Sequence, residues 1–327
     1  MDSACYRLSR IPQKFNTAKV VKTTGNSSYA QSYYASNPDA QLDTRPPKEK
    51  LEEIDKKLAD FESENSEESG EKSQNKDDER FDLLVQQKSL RFLVFGENSP
   101  EAVQSMTALG TFYTAHDHPD SALMHLNKAQ QTAKTTNLSE EDSFKLGLEL
   151  ADANMHSGAQ SQNKQDKAKK VELAEKAIMP YAEYETGDDK LSFRRDLICA
   201  EIFSAKKKYE KAVPLYESAG DKYPAANPEK TKAMGDIYVK GAEAATSAAE
   251  NSEGKEGEEK VDYAAKAIEL YQKAMSVYNE LGETKDAEKC KEFIESKEQA
   301  QNAAEEPKEE NAAEAEKTED PKPDEQN

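Results

Sequence analysis

Residues 207–224 read KKYEKAVPLYESAGDKYP. Ala212, Tyr216 and Ala219 are spaced four and then three apart, which puts all three on one face of a helix. Alanines set among tyrosines suit a face that lets a second helix come close. Pro224 predicts the end of that helix, because proline cannot donate to the backbone ladder. The stretch therefore reads as packing surface, and the chain around it must supply the helices that pack there.

Those helices recur. Met106, Leu109, Gly110 and Tyr113 are followed by Ala122, Leu126 and Ala129. Asp196, Cys199, Ala200 and Phe203, followed by Ala212, Tyr216 and Ala219, repeat the same steps. A third version is Met234, Gly235 and Tyr238, then Ala267, Tyr271 and Ala274. In that version an acidic, Gly-containing insertion at Ser247–Val261 lengthens the middle step. A degenerate unit lies between the two good ones: Phe144, Leu148, Ala151 and Met155, then Ala174, Ile178 and Tyr181. Residues 81–95 resemble a lone second helix capping the array, and Ala287, Cys290 and Ile294 suggest a solvating helix at its end.

These residues resemble the tetratricopeptide repeat, a helix–turn–helix unit of about 34 residues. The resemblance covers roughly residues 81–295, with three to four repeats plus caps. It implies an all-α fold, a right-handed α-solenoid. The favoured Trp is absent from the chain; Met106 stands at that position in one repeat and Asp196 in another. Around residues 95–129 the pattern is similar to the repeats of kinesin light chains and of tetratricopeptide repeat protein 23-like ciliary proteins. Gly96, Pro100, Ala102 and Val103 match, while Ser99 replaces a favoured His.

Composition implies either that much of the chain is disordered or that the fold is elongated with a thin core. Of 327 residues, 35% are hydrophobic and 34% charged, and the mean hydropathy is -0.99. A formal charge of -20 argues against general binding to nucleic acid or anionic membranes. Nothing approaches about 20 consecutive apolar residues, so no transmembrane helix is expected. Cys5, Cys199 and Cys290 are scattered and form no disulfide framework, which suits a reducing compartment. A cytoplasmic protein is the expectation.

The ends read differently from the middle. Residues 1–48 form an extended, basic arm, with Tyr29, Tyr33 and Tyr34 as its aromatic anchors. Its basic start shares features with organellar presequences, but Pro12 and Asp2 argue against one. Leu51, Ile54, Leu58 and Phe61 give a short amphipathic helix at 49–61 that needs a surface to pack on. Residues 62–80 hold eight acids and three bases and read as an acidic linker; residues 296–327 read as an acidic disordered tail. Ser99-Pro100, Asn227-Pro228 and Ser139 with Asp142 mark expected helix starts.

Catalytic chemistry finds little support. There is no GxGxxG, GxxxxGK[ST] or HExxH. His116, His118 and His125, with Asp117 and Asp120, straddle a turn and the following helix, and read as a polar turn rather than a zinc site. No cofactor and no metal is expected, and the chain is read as not an enzyme.

Recognition remains. In a tetratricopeptide stack the first helix of each repeat lines a groove for a peptide or partner helix. The resemblance places Gln104, Thr107, Thr111 and Thr114 on that surface. It adds Arg194, Leu197, Glu201 and Ser204, then Glu229, Lys232, Asp236 and Val239. Members that grip acidic chaperone tails carry a Lys and an Asn where Thr107 and Thr111 stand, so that mode is not expected. The leading expectation is a scaffold or adaptor for proteins. The alternatives are a structural component of a ciliary or microtubule assembly, with the N-terminal arm lying on tubulin or another filament, and an organellar assembly factor.

Overall fold

A computed structural model of the protein describes residues 43–63, 71–227, 231–252 and 261–305. Residues 1–42 of the basic arm and 306–327 of the tail lie outside the described residues. Among the described residues there are eleven α-helices, one short 3-10 turn and no strand. The helices are α1 (Pro47–Ser63), α2 (Glu71–Phe95), α3 (Pro100–Ala115), α4 (Pro119–Ala133) and α5 (Glu140–Gln160). They continue with α6 (Lys164–Ile178), α7 (Asp189–Ala205), α8 (Tyr209–Ala226), α9 (Lys232–Ser252), α10 (Tyr263–Leu281) and α11 (Thr284–Glu305). Each packs on its neighbour in sequence, and the tightest pairs include α3 with α4, α5 with α6, α7 with α8 and α9 with α10. The protein is an all-α stack of helical hairpins, consistent with a solenoid.

Local chemistry fixes the helix starts. The Ser99 hydroxyl accepts from the Ala102 N–H at 3.1 Å, with Pro100 opening α3. The Ser139 hydroxyl accepts from the Asp142 N–H at 3.0 Å and donates to the Asp142 carboxylate at 2.7 Å. Asp188 and Asp262 cap α7 and α10 in the same way. Asn227 behaves differently from the expectation: it closes α8, residues 228–230 are not described, and α9 starts at Lys232.

The hairpin turns repeat. In the first, His116, Asp117 and His118 donate backbone N–H groups to Phe112, Thr114 and Tyr113. In the turn between α7 and α8, Lys206, Lys207 and Lys208 donate to Ile202, Ser204 and Phe203 in the same pattern. Asp117 and Lys207 are left-handed, with φ of 61° and 58°. Two stretches with no residue type in common at these three positions thus fold into one turn. The turn is dictated by where the hairpin helices meet.

Inside the hairpins, small residues set the approach. A Cβ on Gly110 would fall 2.4 Å from Cγ of Leu126, so glycine there lets α4 seat a fully buried leucine against α3. The last full hairpin departs from the expected register. Gly235 lies in the first turn of α9 and meets the Tyr278 ring near the end of α10. The centre of the hairpin is Gly241 and Ala242, two turns later, where Gly241 faces Leu270 and Tyr216. Ala242 is fully buried there, as Gly110 is buried in its own hairpin, and we take it as the counterpart of Gly110.

Gly235 instead belongs to a different pairing. Gly220 and Gly235 each lie under a tyrosine ring, Tyr238 and Tyr278 respectively. The hydroxyl of each tyrosine donates to the aspartate that follows the glycine, Tyr238 to Asp221 at 2.8 Å and Tyr278 to Asp236 at 2.6 Å. A Gly-Asp pair therefore acts twice as a seat for a tyrosine.

Other boundaries shift as well. The helix α2 begins at Glu71, inside the stretch read as linker, and α9 runs through Ser252 into the stretch read as insertion. The helix α11 continues to Glu305, past the expected start of the tail. Pro224 does not stop α8, which reaches Ala226; a proline near a helix end removes only one ladder bond. Residues 81–95 are not a lone cap, because α2 pairs with α1. Ile54 and Leu58 of α1 pack with Leu83 and Leu84 of α2 and Leu109 of α3, which supplies the surface the short amphipathic helix needs.

The core is divided among four clusters along the stack. One joins α1, α2 and α3; a second joins α3, α4 and α5; a third joins α5, α6 and α7; the largest runs from α7 to α11. Each cluster spans a junction between hairpins, so neighbouring hairpins share their apolar contacts.

Candidate functional site

The first helices of successive hairpins form a row. The helix α3 contacts α5, and α5 contacts α7, across the intervening second helices. Three polar ties stitch this row together. Gln104 donates from Nε2 to both carboxylate oxygens of Asp142 at 3.2 Å. Arg194 forks onto Glu149 at 2.6 and 3.1 Å and onto Asp152 at 2.8 Å. Lys240 pairs with Glu201 at 2.7 Å. Such bidentate guanidinium–carboxylate pairs are among the stronger polar contacts.

Most candidate groove residues are thus engaged within the chain. Gln104, Arg194 and Glu201 hold adjacent first helices together. Thr107, Thr111 and Thr114 each donate to the carbonyl four residues earlier on α3, at 2.9 to 3.1 Å. Lys232 reaches across to Asp286 of α11, and Asp236 accepts from Tyr278. The Ser204 oxygen is buried without a hydrogen-bond partner. Glu229 lies outside the described residues. Leu197 and Val239 are half-buried apolar side chains that pack against the same core cluster.

Counting from Ala242 instead of Gly235 moves the last set two turns along α9. Asp236 and Val239 stay on the row, joined by Glu243 and Thr246. The degenerate unit also contributes. The same count from Ala151 gives Lys145, Leu148, Asp152 and Met155. Leu148 is buried in the core, while Asp152 is the partner of Arg194, and its place on the row is legible from the spacing of Phe144–Met155.

Two histidines beside these elements are perturbed in opposite directions. His156 Nδ1 lies 3.1 Å from a carboxylate oxygen of Asp152, whose hydrogen bond and charge raise the imidazole to about 9. His125 is stacked on Tyr113, and burial, with repulsion from Lys88 and Lys128, lowers it to about 4. For His156 the folded value lies above the unfolded one near 6.5. Its contribution is complete below pH 6.5 and is lost as pH rises through about 9. For His125 the folded value is the lower one, so the unfolded chain binds more protons and stability falls as pH drops from 6.5 toward 4. His125→Gln is expected to flatten the acid limb of a stability–pH curve and His156→Gln the alkaline limb. Urea midpoints measured across pH check both; a variant that shifts the curve uniformly would contradict the assignment.

His116, His118 and His125 do not converge. His116 stacks on Phe112 and its Nδ1 lies 2.8 Å from the Phe112 carbonyl, whereas His125 faces Tyr113. Among the described residues no group of three His, Cys, Asp or Glu side chains is arranged to hold a metal ion. Cys199 is buried at a core position, and burial pushes its thiol up to about 12. No helix among the described residues is long and apolar enough to cross a membrane. A cleft of about 390 Å³ lies between the ends of α4 and α6 over α5, lined in part by Leu138, Leu146, Gly147 and Tyr181.

Fold and surface together define a stack of helical hairpins with a polar, self-paired row of first helices. No protein-family model matches this sequence, and no curated protein does.

Proposed function

We propose that the hairpins are tetratricopeptide-type repeats wound as a right-handed solenoid, and that the protein is a non-enzymatic scaffold or adaptor. The observation that carries this reading is the row of first helices, stitched edge to edge by Gln104, Arg194 and Lys240. The repeated turn at Asp117 and Lys207 supports the repeat type. Because Arg194, Glu201 and Lys240 are already paired, the groups left to engage a ligand are Met155, Leu197 and Val239, with Glu243 at one end of the row and Thr107 and Thr111 at the other. A peptide or helix with an apolar anchor fits this surface best; its side chains would gain by covering half-buried carbon, while its backbone would meet the row's polar edges.

Photo-crosslinking tests the proposal. A crosslinking amino acid in place of Leu197 or Val239, in the full chain, is expected to capture the same protein from both positions. Leu197→Ser with Val239→Ser should abolish that capture. Equal capture from position 173, an exposed leucine on α6, would remove the reading.

A further inference from the structure

The second helices carry a feature that the row of first helices does not explain. Lys88 of α2 and Lys128 of α4 both lie over the Phe92 ring, 5.7 and 5.6 Å from its centroid. Among the described residues neither ammonium group has a carboxylate within ion-pair distance. Burial, with repulsion from Lys128, lowers the Lys88 ammonium, and Glu97 opposes this. Two unpaired cations held at one aromatic ring stand out in a chain of net charge -20, where carboxylates outnumber bases and most partly buried lysines have found one. The cation–π contact holds both in place without neutralising either charge.

The surroundings are apolar. Four of the seven exposed large hydrophobic side chains among the described residues are on these two helices: Val85, Leu93, Phe95 and Met124. Val85, Lys88, Phe92 and Phe95 are spaced three, four and three, so they share one face of α2. Met124 and Lys128 are one turn apart on α4. Met124 is 64% exposed, and a side chain with three rotatable bonds adapts readily to a partner. Exposed carbon clustered around unpaired like charges is the pattern of an interaction surface rather than of a solvated face.

We propose that this face of α2 and α4 is a second docking site, separate from the row of first helices. Its occupant is an acidic, amphipathic segment of a partner protein. Carboxylates of that segment pair with Lys88 and Lys128, and its apolar side chains cover Val85, Phe95 and Met124. An anionic bilayer offers the same two chemistries, and the vesicle arm of the test separates it from the peptide segment.

The test uses the full chain and a synthetic helical peptide with Glu and Leu on one face, its ends blocked, followed by fluorescence anisotropy. Lys88→Met with Lys128→Met removes both charges but keeps the stems over Phe92. This double variant is expected to bind about tenfold more weakly, as two partly screened ion pairs would give. Lys88→Arg with Lys128→Arg should restore binding, and the same peptide with Gln for Glu should fail on the wild-type chain. Met124→Ser is expected to weaken binding without altering its salt dependence. The proposal is overturned if no Glu–Leu peptide binds saturably, if the Met pair binds as the wild type does, or if only phosphatidylserine vesicles bind. Leu197→Ser serves as the control for the first-helix row and should leave this peptide's affinity unchanged.

Discussion

Replacing Asp196 by alanine is expected to lower the unfolding free energy by about 3–5 kcal/mol. Asp196 is 3% exposed in the middle of α7. One carboxylate oxygen accepts from Arg195 Nε at 2.9 Å and Nη2 at 2.7 Å. The other accepts from the Ser218 hydroxyl at 2.8 Å and Lys222 Nζ at 2.5 Å, both on α8. The carboxylate therefore ties the two helices of one hairpin together. Removing it leaves the Arg195 guanidinium, only 12% exposed, with a carbonyl of Tyr184 as its remaining partner. The cost arises mainly from that stranded charge. Asp196→Asn keeps the volume and one acceptor, and its loss should fall between wild type and alanine. Chemical denaturation measures both; a loss below about 1 kcal/mol for the alanine variant would mean that Arg195 and Lys222 turn to water freely.

The second large effect is expected at Phe144, where alanine should cost about 3–5 kcal/mol. Its ring is fully buried and lies 4.9 Å from the Tyr184 ring and 6.0 Å from the Tyr181 ring. Both tyrosines come from the segment between α6 and α7. Phe144 is thus the plug that fastens this connection onto α5, in the cluster that joins the second hairpin to the third. In a stack of hairpins stability is a sum of unit and interface terms, and damage at one interface can uncouple the two sides. Phe144→Ala should therefore broaden or split the urea transition followed by circular dichroism. A single transition with an unchanged slope and a small shift would show that the junction depends on other contacts.

Much of the hairpin architecture is legible from small residues at helical spacing. Gly110 with Leu126, and Ala212 with Tyr216 and Ala219, are buried where the spacing puts them. The register of α9 was not legible. Gly235 and Tyr238 imitate the expected three-step pattern, yet the helix start, not the motif, decides which turn faces the partner. That start follows residues with no strong local signal. The first half of α2 is equally hidden, because a run of acids and lysines has no apolar period; its helicity extends from the packed half beyond it. The role of Asp196 is hidden in the sequence, which does not show Ser218, Lys222 and Arg195 closing around the carboxylate. The engagement of Arg194 within the chain is not legible, because its partners Glu149 and Asp152 belong to the hairpin with the weakest pattern.

The three ties between first helices have a mechanical consequence. Within each hairpin most contacts are carbon against carbon, and the charged exception, the Asp196 cluster, is buried away from the electrolyte. Between hairpins, along the row, the outermost links are charged or polar and partly open to water. At physiological ionic strength charges are screened over about 8 Å, so these links soften as salt rises while the hairpins stay intact. The edge of the row is thus the part of the molecule that the surrounding electrolyte tunes, laid over junctions that the shared apolar clusters hold at any salt concentration.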